Sequence, residues 1–193
     1  MSTITDIKQA KGSKKRLHIY IDDEYTCTVD DFTAFKNKLK VGSEIDKHEL
    51  EDIIAESEIT SGFERAVDLI SNTPKTKKQV ADYLRQKGYM PKTVRAVVDK
   101  MLEYHYINDE SYARMYIESN IARYGRKKLR FNLELRGIDK QIIDDALDSI
   151  EVPESAIFDM AKKYMRGREP TRENIDKLCR HLASKGFSWN DIS

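Results

Sequence analysis

Three segments of the chain repeat at a spacing of 49 residues: Leu84-Arg85-Gln86-Lys87-Gly88-Tyr89, Leu133-Glu134-Leu135-Arg136-Gly137-Ile138 and Leu182-Ala183-Ser184-Lys185-Gly186-Phe187. Each reads Leu, two residues, a basic residue, Gly, then a large apolar residue. A repeat of this length decides the architecture before any other signal does. The motif also has a specific local meaning. With Gly88, Gly137 and Gly186 at the left-handed position just past a helix end, the Leu falls three residues inside the helix. The apolar residue then falls one step beyond the glycine, where the two side chains meet in a Schellman cap. Each motif therefore ends one helix and turns the chain into the next, with N-caps expected at Met90, Asp139 and Ser188 and inward residues at Val94, Ile143 and Ile192.

The segments upstream of the motifs correspond as well. Phe63 to Ile70 lines up with Tyr112 to Glu118 and with Ile157 to Met165. Ser61 or Gly62 opens a helix with Phe63, Ala66, Val67, Leu69 and Ile70 on one stripe, Thr73-Pro74 stops it, and Thr76 caps the next. Each unit is thus helix, turn, helix, Schellman turn, helix. The pattern divides the chain into 61–106, 107–150 and 151–193, with Val152-Pro153-Glu154 as a separator and only about one turn in the last helix of the third unit. Residues 1–60 differ. Ile4 to Ala10, Leu17 to Ile21 and Tyr25 to Val29 read as strands, with Asp22-Asp23-Glu24 as a hairpin turn. Phe32 to Lys38 reads as a short helix, and Asp46 caps another that runs to about Ser57. The expected fold is mainly α: tandem three-helix repeats in an elongated curved array, preceded by a small strand-containing segment. Such arrays present long surfaces to macromolecules rather than small-molecule pockets.

Composition narrows the function classes. No apolar run approaches the ~18 residues of a membrane helix, and Met1 to Asp6 carries no signal-peptide pattern. Cys27 and Cys179 are too far apart in sequence to form a pattern, so a cytoplasmic protein with reduced thiols is expected. The net charge is only +1, but residues 1–60 hold 9 basic and 13 acidic side chains against 25 and 20 in the rest. The global balance argues against a purely electrostatic nucleic-acid binder, while a local basic face stays open. His18, His48, His105 and His181 show no metal-ligand spacing. Gly12-Ser13-Lys14-Lys15 lacks the phosphate-loop pattern, and no nucleophile elbow is present. Neither an enzyme nor a cofactor is expected.

The informative cluster is Arg123-Tyr124-Gly125-Arg126-Lys127-Lys128-Leu129-Arg130, with five cations in eight residues. Gly125 breaks the helical pattern, so Arg126, Lys127 and Lys128 fall in a first helical turn, the end of the helix dipole that disfavours cations. Lys75, Lys77 and Lys78 occupy the equivalent turn of the first unit. Arg123, Arg126, Lys127, Lys128, Arg130, Lys77 and Lys78 are therefore the candidate contacts to an anionic partner, whether phosphates or an acidic protein surface. Tyr104, Tyr106, Tyr112, Tyr116 and Tyr124 gather near the junction of the first two units and are expected mostly in packing.

These residues carry a family resemblance. Ile107-Asn108-Asp109-Glu110-Ser111-Tyr112-Ala113, then Gly125-Arg126-Lys127-Lys128-Leu129, then Leu133 to Ile138, resembles the RecX regulators of the RecA recombinase. Ala66, Leu69, Thr76, Val80, Leu84 and Lys87-Gly88 extend the likeness on one side, and Ala161, Tyr164, Leu182 and Lys185-Gly186-Phe187 on the other. The resemblance covers roughly 61–193, and residues 1–60 look like the N-terminal extension of longer members. It implies a non-catalytic protein that binds RecA, lies along the groove of the RecA–DNA filament and inhibits strand exchange and ATP hydrolysis, with weak direct DNA binding. An alternative is a helix-turn-helix DNA-binding transcription regulator read from Thr76 to Leu102, for which Arg95 is the main residue suited to a base edge. A repeat adaptor for another protein is a third reading.

Overall fold

A computed structural model describes residues 2–150 and 154–192; the expected separator at Val152-Pro153 lies outside them. The chain forms two compact units, Met1–Thr73 with Val80–Tyr106, and Pro74–Gln79 with Ile107–Ser193.

The first unit begins with strands β1 (Ser2–Gln9), β2 (Arg16–Ile21) and β3 (Glu24–Asp30), followed by helix α1 (Asp31–Lys36) and a short strand β4 (Glu44–Ile45). The four-stranded antiparallel sheet has the order β3-β2-β1-β4. The β2–β3 hairpin turns on Asp22 and Asp23, both in the left-handed region (φ 51° and 68°), which a tight two-residue turn requires. Alternate residues Ile19 and Ile21 of β2 and Cys27 and Val29 of β3 are buried with Ile4, Ala34, Ile45 and Ile53. Ile45 enters this core from β4.

That helix, α2 (Lys47–Ser71), is capped by the Asp46 carboxylate, which accepts from the Glu49 N–H at 2.8 Å. It is a single 25-residue helix, where the sequence suggests one helix to Ser57 and another from Ser61 or Gly62. Packing overrides the weak propensity of Thr60-Ser61-Gly62. Gly62 lies against α4 (Pro91–Glu103), where a Cβ would come 3.0 Å from Val97 Cγ2, and Arg16 donates to the Ser61 hydroxyl at 3.1 Å. The half of α2 before Ser57 covers the sheet, and the half after it packs on α4.

Helix α3 (Lys77–Gln86) starts in the second unit and continues in the first. The second unit then contains α5 (Asp109–Asn120), α6 (Arg126–Leu135), α7 (Lys140–Asp148), α8 (Glu154–Met165), α9 (Arg172–Ser184) and α10 (Trp189–Ile192). Ala113, Ile117, Leu129, Leu133, Ile138, Ile143, Ala146 and Leu147 form the core of α5–α7.

All three repeat glycines adopt positive φ: Gly88 87°, Gly137 77° and Gly186 90°. The hydrogen bonds are those of Schellman caps. The N–H groups of Tyr89, Ile138 and Phe187 reach the carbonyls of Leu84, Leu133 and Leu182, and the glycine N–H groups reach Arg85, Glu134 and Ala183. Leu84, Leu133 and Leu182 are buried.

The turns also dock on neighbouring helices. The turn ending α9 sits against the N-terminus of α6: Gly125 N–H donates to Lys185 O at 3.0 Å and Lys127 N–H to Gly186 O at 3.3 Å. The turn ending α6 sits against the start of α3, where the Thr76 hydroxyl donates to Arg136 O at 2.8 Å. Thr76 and Gln79 satisfy each other there as a capping box, at 3.0 and 3.2 Å, and the Asp109 carboxylate accepts from Lys77 N–H at 2.9 Å. At the α9–α6 junction the carbonyl end of one helix meets the N–H end of another, and orphan donors and acceptors satisfy one another. At the start of α3 the backbone donors go to Asp109 and Thr76, and the carbonyls ending α6 are met by the Thr76 hydroxyl and the Lys78 ammonium.

Two predictions follow from this packing. Alanine at Gly88 meets nothing within 4 Å and should cost only the ~1–2 kcal/mol of a left-handed Cβ. At Gly137 the new Cβ would lie 2.7 Å from Lys78 Cβ, and at Gly186 it would lie 2.4 Å from the Lys128 backbone nitrogen. Urea unfolding should rank the losses Gly88→Ala < Gly137→Ala < Gly186→Ala, the last near ~3 kcal/mol once overpacking is added; equal losses would contradict the docking. The second concerns Asp109, whose pKa burial raises above 3.8 against the lowering effect of the Lys77 N–H. Its contribution to stability is full below pH 3.8 and declines as pH rises through the raised value. At neutral pH Asp109→Asn, which keeps the acceptor, should match or exceed the parent in thermal stability. Asp109→Ala should lose about 1 kcal/mol.

Candidate functional site

The basic turn at α6 is only partly available to a partner. Arg126 donates to Asp148 at 3.1 Å and reaches Ile150 O at 3.5 Å, and Arg130 pairs with Asp144. The Lys128 ammonium lies 5.0 Å from the Phe131 ring centroid, while its backbone closes on Gly186. In the equivalent turn the Lys78 stem lies over Gly137 and its ammonium reaches Leu135 O at 3.4 Å. Lys77 and Lys127 are exposed, and among the described residues neither ammonium is in an ion pair. The dipole argument for an external anion changes accordingly. The α6 N-terminus already faces the carbonyls of Lys185 and Gly186, so partial negative charge from α9 offsets the cations there.

Arg123 is placed elsewhere. It lines a cleft of about 820 Å³ formed by the α5–α6 turn, α8 and α9, together with Lys163, Arg166, Arg168, His181 and Lys185. Asp159 is its only carboxylate among the described lining residues. None of the five Lys and Arg side chains is in an ion pair among the described residues. The geometry grows from local sequence. Gly167, at φ 75°, reverses the chain past the end of α8. That reversal lays the Arg168 guanidinium 4.1 Å from the Tyr164 ring centroid and lets it donate to Tyr164 O at 2.7 Å. Tyr164 in turn stacks on His181, with centroids 4.7 Å apart. Lys163, Arg166 and Arg168 were not singled out from sequence, yet Lys162 to Arg168 holds four cations in seven residues, a run nearly as dense as the one at 123–130.

The tyrosines divide. Tyr112, Tyr116 and Tyr124 are half-buried and pack around the α5–α7 core. Tyr104 and Tyr106 depart from the packing expectation: they are 55% and 48% exposed and stand edge-on to Phe63. Among the described residues no group of three His, Cys, Asp or Glu could hold a metal ion, and no helix is long and apolar enough to cross a membrane.

Residues 2–46 match the family described as the regulatory protein RecX N-terminal domain. Residues 63–101 match the first RecX three-helix domain and residues 108–147 the second. A regulatory protein RecX of Clostridium tetani is 36% identical over 198 residues, spanning 100% of this chain and 92% of its own. One from Clostridium perfringens strain SM101 is 31% identical, over 98% of this chain and 92% of its own. A crystal structure of regulatory protein RecX superposes with TM-score 0.77 at 25% identity, covering 99% of this chain and 97% of that one. A second, of RecX from Lactobacillus salivarius, gives TM-score 0.64 at 27% identity over 70% and 92%. With domain matches in strands and helices alike and relatives aligned end to end, the chain belongs to the RecX family of regulatory proteins.

Proposed function

We propose that this chain binds the RecA recombinase and the groove of the RecA–DNA filament, and thereby inhibits strand exchange and the coupled ATP hydrolysis. It acts by occupancy and has no catalytic residue of its own. The observation that supports this reading most is the end-to-end match to regulatory RecX proteins, combined with a three-helix unit that recurs with the same turn chemistry. Three units, at 61–106, 107–150 and 151–193, allow contact with several RecA subunits at once, and linked modest contacts add up to avidity. Lys77 and Lys127 are the basic-turn cations best suited to phosphates or acidic side chains of the filament. The other cations of these turns serve the fold as well. The protein is read as cytoplasmic, where RecA filaments form.

The helix-turn-helix alternative is weakened by α4. Thr93, Val94, Val97, Val98 and Met101 are buried, and the exposed face carries Lys92 and Arg95 beside Asp99 and Glu103. A face with as many acids as bases is poorly suited to a DNA groove.

DNA-dependent ATP hydrolysis by RecA should fall when this protein is added below stoichiometry, and raising the salt should weaken the effect. Lys77→Glu with Lys127→Glu should need several-fold more protein for half-inhibition while melting like the parent. Full inhibition by the folded double variant would refute the role of the basic turns. No inhibition by the parent would refute the RecA reading.

A further inference from the structure

The cleft between the α5–α6 turn, α8 and α9 is strongly basic, and the reading above makes no use of it. Its volume of about 820 Å³ falls within the ~300–1,000 Å³ typical of small-ligand sites. Arg123, Lys163, Arg166, Arg168 and Lys185 converge on it against Asp159, the single carboxylate among the described lining residues. Like charges gathered in a concave site repel one another unless an anion neutralises them. One of these groups is also held in place. Arg168 is kept over the Tyr164 ring by its hydrogen bond to the Tyr164 carbonyl, and the Lys185 ammonium lies 5.9 Å from the Tyr124 ring centroid. Fixing a long cationic side chain beforehand removes part of the ordering cost of binding.

The geometry points to a nucleotide-phosphate site. The lysines and arginines receive phosphate oxygens, and the exposed Arg168 guanidinium, backed by Tyr164 and His181, offers a flat cation on which a base stacks. Phosphate fits this donor set better than carboxylate does, because its oxygens can engage several cations from different directions at once. The ligand is either a free nucleotide or one unit of a single strand, and both present the same phosphate chemistry. Binding here is a property of the isolated chain, so it stands or falls separately from the RecA reading.

The test uses the full chain and a fluorescein-labelled oligothymidylate, followed by anisotropy, with unlabelled oligothymidylate, ATP, inorganic tripolyphosphate and polyglutamate as competitors. Lys163 and Arg166 are exposed, so Lys163→Gln with Arg166→Gln should leave the melting temperature unchanged. The double variant should weaken oligonucleotide binding about tenfold or more and flatten its salt dependence. Arg168→Gln should weaken the oligonucleotide and ATP more than tripolyphosphate. Displacement by ATP and tripolyphosphate identifies free phosphate esters as ligands of the cleft, and displacement by unlabelled oligonucleotide alone identifies the strand; either supports the assignment. An unchanged affinity in the folded double variant, no binding by the parent, or displacement by polyglutamate as effective as by tripolyphosphate would overturn it.

Discussion

The structure depends on the docking of a Schellman turn against the N-terminus of another repeat's second helix. A helix end leaves donors or acceptors without partners, and short helices such as α3 and α6, with ten residues each, are marginal alone. Stacking the carbonyl end of α9 on the N–H end of α6 satisfies both sets of groups together. The two junctions in the second unit reach this by different chemistry. At the start of α3 a threonine hydroxyl bridges to the next turn. At the equivalent position of α6 the side chain is absent, and the Gly125 backbone itself donates. The glycine at the turn therefore serves two ends: it permits the left-handed conformation and it removes the Cβ that would hold the neighbouring helix away.

This junction also reorders the electrostatics. A lysine-rich first helical turn looks unfavourable when the helix is considered alone. Docked against carbonyls from the next repeat, the same lysines sit beside partial negative charge, and Lys78 and Lys128 contribute their stems or backbone to the contact. Sequence clusters of charge are thus an incomplete guide to binding surfaces in a repeat protein. Much of the basic turn serves the fold, whereas the cleft at α8 and α9 draws its cations from three separated segments.

Much of the fold was legible in the sequence because the signals were local. The Leu-x-x-basic-Gly-apolar pattern specifies a cap whose hydrogen bonds span six residues, and the strand and hairpin signals near Asp22-Asp23 are similarly short-range. The misses were tertiary. Nothing local shows that Gly62 lies under Val97 and Tyr89, which keeps α2 continuous through a Thr-Ser-Gly run. The two-residue β4 is held by pairing with β1 and by burial of Ile45 in the sheet core, and Tyr104 and Tyr106 surround Phe63 from outside rather than filling a core. The candidate site was legible only in part. Arg123 to Arg130 is conspicuous, but the pairing of Arg126 and Arg130 with Asp148 and Asp144 on α7 depends on how the helices pack. Arg123 joins Lys163, Arg166, Arg168 and Lys185 only once α8 and α9 have folded back.

The most direct test of turn docking is the unfolding free energy of Gly125→Ser. Gly125 has ordinary extended backbone at φ −73° and ψ 166°. At a free N-cap, serine is at least as good as glycine, and it restricts the unfolded chain as well. A stability gain of a few tenths to about 1 kcal/mol would then be expected. In the docked arrangement a Cβ at this position would lie 2.3 Å from Gly186 O, so the account predicts the opposite sign, a loss of about 1–3 kcal/mol. A variant as stable as the parent, or more so, would contradict the claim that this junction holds the repeats together.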